Sequence, residues 1–214
     1  MRIGILGSGL MGGTLGTLFA RSGHAVTFSY AHAMRKLERL ARAAGNDARA
    51  GTPADAARHA DAVLLAVHWQ RVGDVLAQAG SLAGKVVISC SLPMNADDTR
   101  LVIGHTTSGA EALAKKIPRA KVVSAFGTVP SEAFDGVFNA RRRKTRPNVA
   151  YCGNDRRAKR VVAALIRDLG FAPVDAGPLS TARYLEPFAL LVAQLAYEGK
   201  GGPEVAYRFD RYKV

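Results

Sequence analysis

The sequence predicts an α/β fold, a doubly wound parallel sheet with a small helical extension at its C-terminus. Three observations carry this. Short apolar runs alternate with segments of helical periodicity from Arg2 to Asp175, the pattern of strands joined by crossover helices. One run, Ala62 to Val67, is apolar at every position, as expected of a parallel strand covered on both faces. The first run passes directly into Gly7-Ser8-Gly9-Leu10-Met11-Gly12, a G-x-G-x-x-G turn set between a strand and a helix.

The elements follow in order. Ile3 to Leu6 is the first strand, and Ala25 to Tyr30 the second. A helix from about Ala33 to Ala44 puts Met34, Leu37, Leu40 and Ala41 on one face and stops at Gly45. Thr52-Pro53 is an N-cap and first-turn pair for a short helix ending near His59. Ala62 to Val67 is the next strand, Val72 to Ala79 a helix, and Lys85 to Cys90 a strand after Gly84. Lys121 to Ala125, Asn148 to Cys152 and Phe171 to Asp175 are further strands. Helices at about Ser108 to Lys116 and Asp155 to Leu169 lie between them. The second carries an apolar stripe of Val161, Val162, Leu165, Ile166 and Leu169. From Leu179 to Gly199 the pattern is helical, and Phe188 to Ala196 is apolar nearly all round. Such a helix must be buried on every side, which predicts packing on the main domain and on a second subunit. Pro187 occupies either a first-turn position or a kink. The division expected is a main domain over 1–178 and a helical part over 179–214.

Composition excludes several classes. The chain has 214 residues, 48% hydrophobic and 22% charged, ordinary for a globular protein with a real core. Gly4, Gly7, Gly9, Gly12, Gly13 and Gly16 interrupt the apolar start, so it is not a secretory signal. No segment approaches the run of about 18 apolar residues that marks a membrane span. Cys90 and Cys152 are too few for a disulfide framework or a zinc site, and a cytoplasmic protein is expected. Thirty basic against 17 acidic residues give +13, a field that attracts anionic partners. The one dense run, Arg141-Arg142-Arg143-Lys144-Thr145-Arg146, has no interleaved aromatics to stack on bases. It reads as a solvated loop, with anion docking or nucleic-acid contact as the alternatives.

The glycine turn predicts a dinucleotide site. Gly7 allows the tight turn, Gly9 lets the pyrophosphate approach the backbone, and Gly12 lets helix and strand pack closely. The helix N-terminus then offers its unpaired N–H groups to the phosphates. An NAD-binding chain places Asp or Glu at the end of the second strand, on the ribose 2′-hydroxyl. Here that place reads Ser29-Tyr30-Ala31-His32, with no acid before Glu38. A missing acid admits a 2′-phosphate, with Ser29 and His32 as donors and Arg35 and Lys36 supplying charge. The expectation is NADP rather than NAD. His68 and Trp69 follow the carboxyl end of a parallel strand and so face the crevice, as do Ser89 and Ser91 after the next. His68 is the one candidate for a proton-transfer role; His24, His59 and His105 read as structural.

These features resemble the NADP oxidoreductases dependent on the deazaflavin coenzyme F(420), short Rossmann proteins related to the N-terminal domain of pyrroline-5-carboxylate reductases. The marks are Gly7 to Gly12, Ala66-Val67-His68-Trp69, Ala125-Phe126-Gly127-Thr128-Val129-Pro130, and the tail from Ala182 to Leu191. The resemblance implies NADPH along Gly7, Ser8, Gly9, Leu10, Met11 and Gly12, with further contacts at Ala66, Val67, His68, Trp69 and Ala125. It implies a deazaflavin cleft between the main domain and the C-terminal part. Relatives often carry Pro at His68, Asn at Gly127, and Asp-x-x-Asn-Pro where this chain has Ser89-Cys90-Ser91-Leu92-Pro93. Such chemistry needs ring stacking more than catalytic side chains. A small anionic acceptor suits the basic charge, since F(420) carries a phosphate and a glutamate tail. Two readings remain: a reductase of F(420), or of a flavin-like, ferric or imine acceptor, and an NADP(H)-binding module without turnover.

Overall fold

The computed structural model describes residues 1–31 and 33–212. Its centre is an eight-stranded sheet in the order β3-β2-β1-β4-β5-β6-β7-β8. The strands are β1 (Arg2–Leu6), β2 (Ala25–Ser29), β3 (Arg49–Ala50), β4 (Ala62–Leu65), β5 (Val86–Ser89), β6 (Lys121–Ser124), β7 (Asn148–Gly153) and β8 (Ala172–Asp175). The helices are α1 (Leu10–Arg21), α2 (Met34–Ala44), α3 (Pro53–Arg58), α4 (Val72–Ala79), α5 (Gly109–Lys116), α6 (Ala133–Asn139), α7 (Arg156–Asp168) and α8 (Ala182–Tyr197). Strands β1 to β6 are mutually parallel where they pair.

Strand alternation sorts the side chains into two layers. Ile3, Ile5, Leu64 and Ile88 pack with α1, α2, α6 and α7. Leu6, Val63, Leu65 and Val87 pack on the other side with α3, α4, α5 and the start of α8. Burying each such side chain contributes roughly 1.5–3 kcal/mol, so both faces of the central strands must be covered. Local signals set the helix ends. The Thr52 hydroxyl caps α3 by accepting from the Asp55 amide at 3.1 Å, while the Asp55 carboxylate accepts from the Thr52 amide at 3.0 Å, a reciprocal capping box.

The structure departs from the sequence expectation in several places. The sheet is mixed, because β7 runs antiparallel to β6 and β8 follows β7. The intervening α6 has seven residues, a rise of about 10 Å, and the chain enters β7 in the opposite direction. Pro173 sits in β8, an edge strand, where a missing donor is tolerated. Pro187 lies inside α8 beyond its first turn. Met34, expected on the buried face of α2, is exposed at the helix start, whereas Leu37 and Ala41 are buried. Arg141 to Arg146 form an exposed loop, with the Arg141 guanidinium 4.1 Å above the Phe138 ring. Helix α8 buries Ala182, Glu186, Ala189, Val192 and Ala196. Its opposite side leaves Tyr184, Leu191 and Leu195 exposed.

Candidate functional site

The strand order reverses between β1 and β4, and the chain after β1 turns there. Gly7 is held between its neighbours: its amide donates to the Ser29 carbonyl at 3.2 Å, and the Ala66 amide donates to Leu6 at 2.9 Å. This is the topological switch point where open α/β sheets bind ligands.

The three fingerprint glycines serve different ends. Gly7 has φ +107°, and a Cβ there would lie 2.3 Å from the Ala66 carbonyl oxygen. A Cβ on Gly12 would lie 1.8 Å from the Gly7 carbonyl oxygen. Both are required by the fold itself. Gly9 is not: its backbone is extended, and a Cβ would meet no protein atom within 4 Å. It caps α1 without a side-chain hydrogen bond, and the first helical amide with a backbone partner is Gly13, 2.8 Å from the Gly9 carbonyl. Open space in front of orphaned helix amides fits a pyrophosphate. Leu10 is exposed and Met11 half-buried beside it.

The region after β2 is built around Tyr30. Ser8 and Ser29 are fully buried. Ser8 donates its hydroxyl to the Ser29 carbonyl at 2.8 Å, and Ser29 donates to the Ile5 carbonyl at 2.6 Å. Neither hydroxyl is free for a ligand, so the donor role expected of Ser29 does not match its place in the structure; both side chains fasten β1 to β2. Tyr30 adopts φ +59° and reaches α4, where its hydroxyl donates to Asp74 Oδ2 at 2.5 Å. Burial and this bond raise the phenol's pKa, and the same bond holds the Asp74 carboxyl low. Arg35 and Lys36 are exposed in the first turn of α2, a helix with no acid there and no side-chain cap. Cations at a helix N-terminus oppose the dipole, and an anion bound between them would relieve this. His32 lies outside the described residues.

The crevice side of β4 and β5 holds the remaining residues. Ala66 and Val67 are half-buried. The Val67 amide donates to Ser91 Oγ at 3.2 Å, and Ser91 donates to the Leu65 carbonyl at 3.3 Å. His68 is exposed, its Nδ1 3.4 Å from Asp98 in the loop after β5. Trp69 is half-buried against the layer of α3 to α5. Ser89, Ser91 and Ala125 line a narrow cleft with Thr128, Leu185 and Glu186, between the carboxyl ends of β5 and β6 and helix α8. Phe126 at its edge holds φ +68°, a conformation that costs an L residue about 1–3 kcal/mol. Its fully buried ring, edge-on to Phe19 and Phe134, keeps it there.

Sequence reasoning missed several parts of this cleft. Glu186 is 3% exposed, and its carboxylate accepts the amides of Gly109 at 2.8 Å and Ala110 at 2.9 Å. Arg183 grips Glu111 with two bonds of 2.7 and 2.9 Å. Together they seat α8 on the start of α5. The Tyr207 hydroxyl bonds Thr128 at 2.8 Å and accepts the Ala150 amide at 2.9 Å. A lone acid on the buried stripe Ala182-Glu186-Ala189 was the available signal for Glu186. None existed for Tyr207, which is placed by tertiary folding alone.

Comparison with known proteins agrees with this geometry. Residues 2–93 match the family described as NADP oxidoreductase, coenzyme F(420)-dependent. A crystal structure from Arthrobacter sp. FB24, provisionally named an F(420)-dependent NADP-reductase, superposes with a TM-score of 0.85 at 26% identity, covering 99% of this chain and all of the other. Metalloreductase STEAP3 of Rattus norvegicus is 30% identical over 189 residues, 88% of this chain. The chain spans only 36% of that relative's length. A reductive aminase of Aspergillus terreus in complex with NADPH4 shares the fold at TM-score 0.65 and 20% identity, over 90% of this chain and 60% of its own. Residues 2–93 thus carry the domain that defines the NADP oxidoreductases dependent on coenzyme F(420), and the whole chain has the fold of the Arthrobacter protein.

Proposed function

We propose that this protein is an NADPH-dependent reductase that passes a hydride to a deazaflavin, coenzyme F(420), or a flavin-like ring. The observation that carries this is Gly9: a glycine the fold does not need, set before orphaned helix amides, with a second cleft nearby at the ends of β5 and β6. The glycine turn binds the pyrophosphate, and Arg35 and Lys36 meet the 2′-phosphate beside Tyr30. Ala66, Val67, His68 and Trp69 flank the nicotinamide end, where NADPH supplies the hydride. Ser89, Ser91 and Ala125 shape the acceptor cleft, which α8 closes. Residues 179–214 thus act as an acceptor-side part beside a main domain spanning 1–178. The acceptor is a small anion, drawn in by the net charge of +13.

The exposed stripe of Tyr184, Leu191 and Leu195 on α8 pairs two copies in a homodimer. Among the described residues no helix is long and apolar enough to cross a membrane, and the protein acts in the cytoplasm.

The likeness to a metalloreductase supports a second reading, in which the final acceptor is ferric iron. Purified protein incubated with NADPH or NADH and with F(420), FMN, FAD or ferric citrate separates these readings. Rapid NADPH-dependent bleaching of F(420) supports the first. Iron reduction without F(420) turnover supports the second. Tight NADPH binding without turnover of any acceptor would instead mark a binding module.

A further inference from the structure

The cleft at the ends of β5 and β6 is closed in this structure. Between Ser89, Ser91, Thr128, Ala150, Leu185 and Glu186 it leaves about 10 Å3, the room of a single water. A flavin-like ring needs far more. A ring-sized space beside it is filled by Tyr207. Residues 203–212 form neither helix nor strand, and they run along β7 where β6 no longer covers it. The ladder between those two strands is confined to Val123 with Gly153 and Ser124 with Cys152. Beyond it the Asn148 amide donates to the Tyr207 carbonyl at 2.7 Å, and the Ala150 amide donates to the Tyr207 hydroxyl at 2.9 Å. The same hydroxyl bonds Thr128 at 2.8 Å. The Tyr207 ring stands edge-on to Phe188 of α8, with ring centres 5.0 Å apart. Its neighbours Ala206, Arg208 and Phe209 are exposed, whereas Tyr207 is half-buried. The attachment of this segment therefore concentrates on one side chain.

We propose that the acceptor ring binds where the Tyr207 ring now lies, and that residues 203–212 are a strap that swings aside to admit it. This deepens the reductase reading above and rests on it. Thr128 and Ala150 line the cleft and also bind the Tyr207 hydroxyl, so departure of the ring joins its space to the cleft. The vacated place offers what a flavin-like ring can use. Phe188 gives an aromatic ring to pack against, Ala150 an N–H for a ring carbonyl, and Thr128 a hydroxyl. In the closed state the Tyr207 hydroxyl serves both of these polar groups. Strap and acceptor therefore compete, and the apparent affinity for the acceptor is scaled by the fraction of molecules that stand open.

The test compares Tyr207→Phe and Tyr207→Ala with the parent protein. Tyr207→Phe keeps the ring and removes both hydroxyl bonds, and one such bond shifts an equilibrium of this kind by about fivefold. With NADPH saturating, KM for F(420) should fall about fivefold or more in Tyr207→Phe and about tenfold or more in Tyr207→Ala. The NADPH dissociation constant should stay within about twofold of the parent's. Independently of turnover, hydrogen exchange read by mass spectrometry follows residues 203–212. In the parent, F(420) added with NADP+ should speed exchange there about tenfold, and NADP+ alone should not. A parent protein that reduces no acceptor beside an active Tyr207→Ala variant would also support the strap. An unchanged or raised KM in a folded Tyr207→Phe variant, or a strap that F(420) protects rather than releases, would overturn the proposal and leave the reductase reading standing. A parent and variants that all reduce no acceptor would overturn the reductase reading, and the strap with it.

Discussion

The Tyr30 hydroxyl donates to Asp74 across 2.5 Å, tying the residue after β2 to the first turn of α4. This places a neutral ring where NAD-binding chains carry an acid, and engages the acid that is present nearby. Tyr30→Phe should leave the ring but deprive Asp74 of its donor beside the 2′-phosphate. NADPH should then weaken relative to NADH by about threefold or more. Adding Asp74→Asn should restore the ratio, and a double-mutant cycle by calorimetry measures the coupling.

On the proposed reading the same corner governs cofactor choice. NADPH should bind about tenfold or more tightly than NADH, a difference of about 1.4 kcal/mol. Tyr30→Asp should shift preference towards NADH, by repelling the 2′-phosphate and accepting from a 2′-hydroxyl. Fluorescence titration with both cofactors checks this; an unchanged ratio would remove Tyr30 from the ribose site.

The turn at the centre of the candidate site was legible in the sequence because its causes are local. A G-x-G-x-x-G turn after a strand needs only neighbouring residues to form, and Gly7 to Gly12 stand as expected. Strand direction is different: β7 reads like any apolar run, and its pairing with the distant Val123 and Ser124 of β6 is what makes it antiparallel. Helix α6 was missed because Phe134, Gly136, Val137 and Asn139 are poor helix formers. Buried Phe134 and Phe138, four residues apart, hold it by packing. Ser29 illustrates a further limit. Its position was read correctly, but which way its hydroxyl points depended on the Ile5 carbonyl.

Stability should fall as pH rises from about 4.5 to about 7. Glu186 has its carboxyl raised from 4.5 to about 7 in the folded chain, so the native state binds its proton more tightly than the unfolded chain does. The contribution is fully present below the unfolded value and lost through the folded one, amounting to about 3 kcal/mol. The carboxyls of Asp61, Asp74 and Glu111 are shifted downward and act at lower pH. Urea unfolding at about pH 5 and about pH 8 should show this loss in the parent and not in Glu186→Gln.

Leu191 and Leu195 stand one turn apart on the exposed side of α8, each more than half exposed. Leu191→Glu or Leu195→Glu should convert dimers to monomers, with NADPH affinity changed by less than about threefold. Light scattering that finds a monomer for the unmodified protein at micromolar concentration would remove the dimer.

Gly9→Val bears most directly on the central claim, that the glycine turn holds NADP(H). A Cβ there meets no atom within 4 Å beyond its chain neighbours, so the variant should fold with a melting temperature close to the parent's. Its side chain would fill the space reserved for the pyrophosphate. Calorimetric titration with NADPH should show saturable one-to-one binding for the parent protein and a loss of about 100-fold or more, about 2.7 kcal/mol, for the variant. A folded Gly9→Val protein that binds NADPH as tightly as the parent would contradict the account.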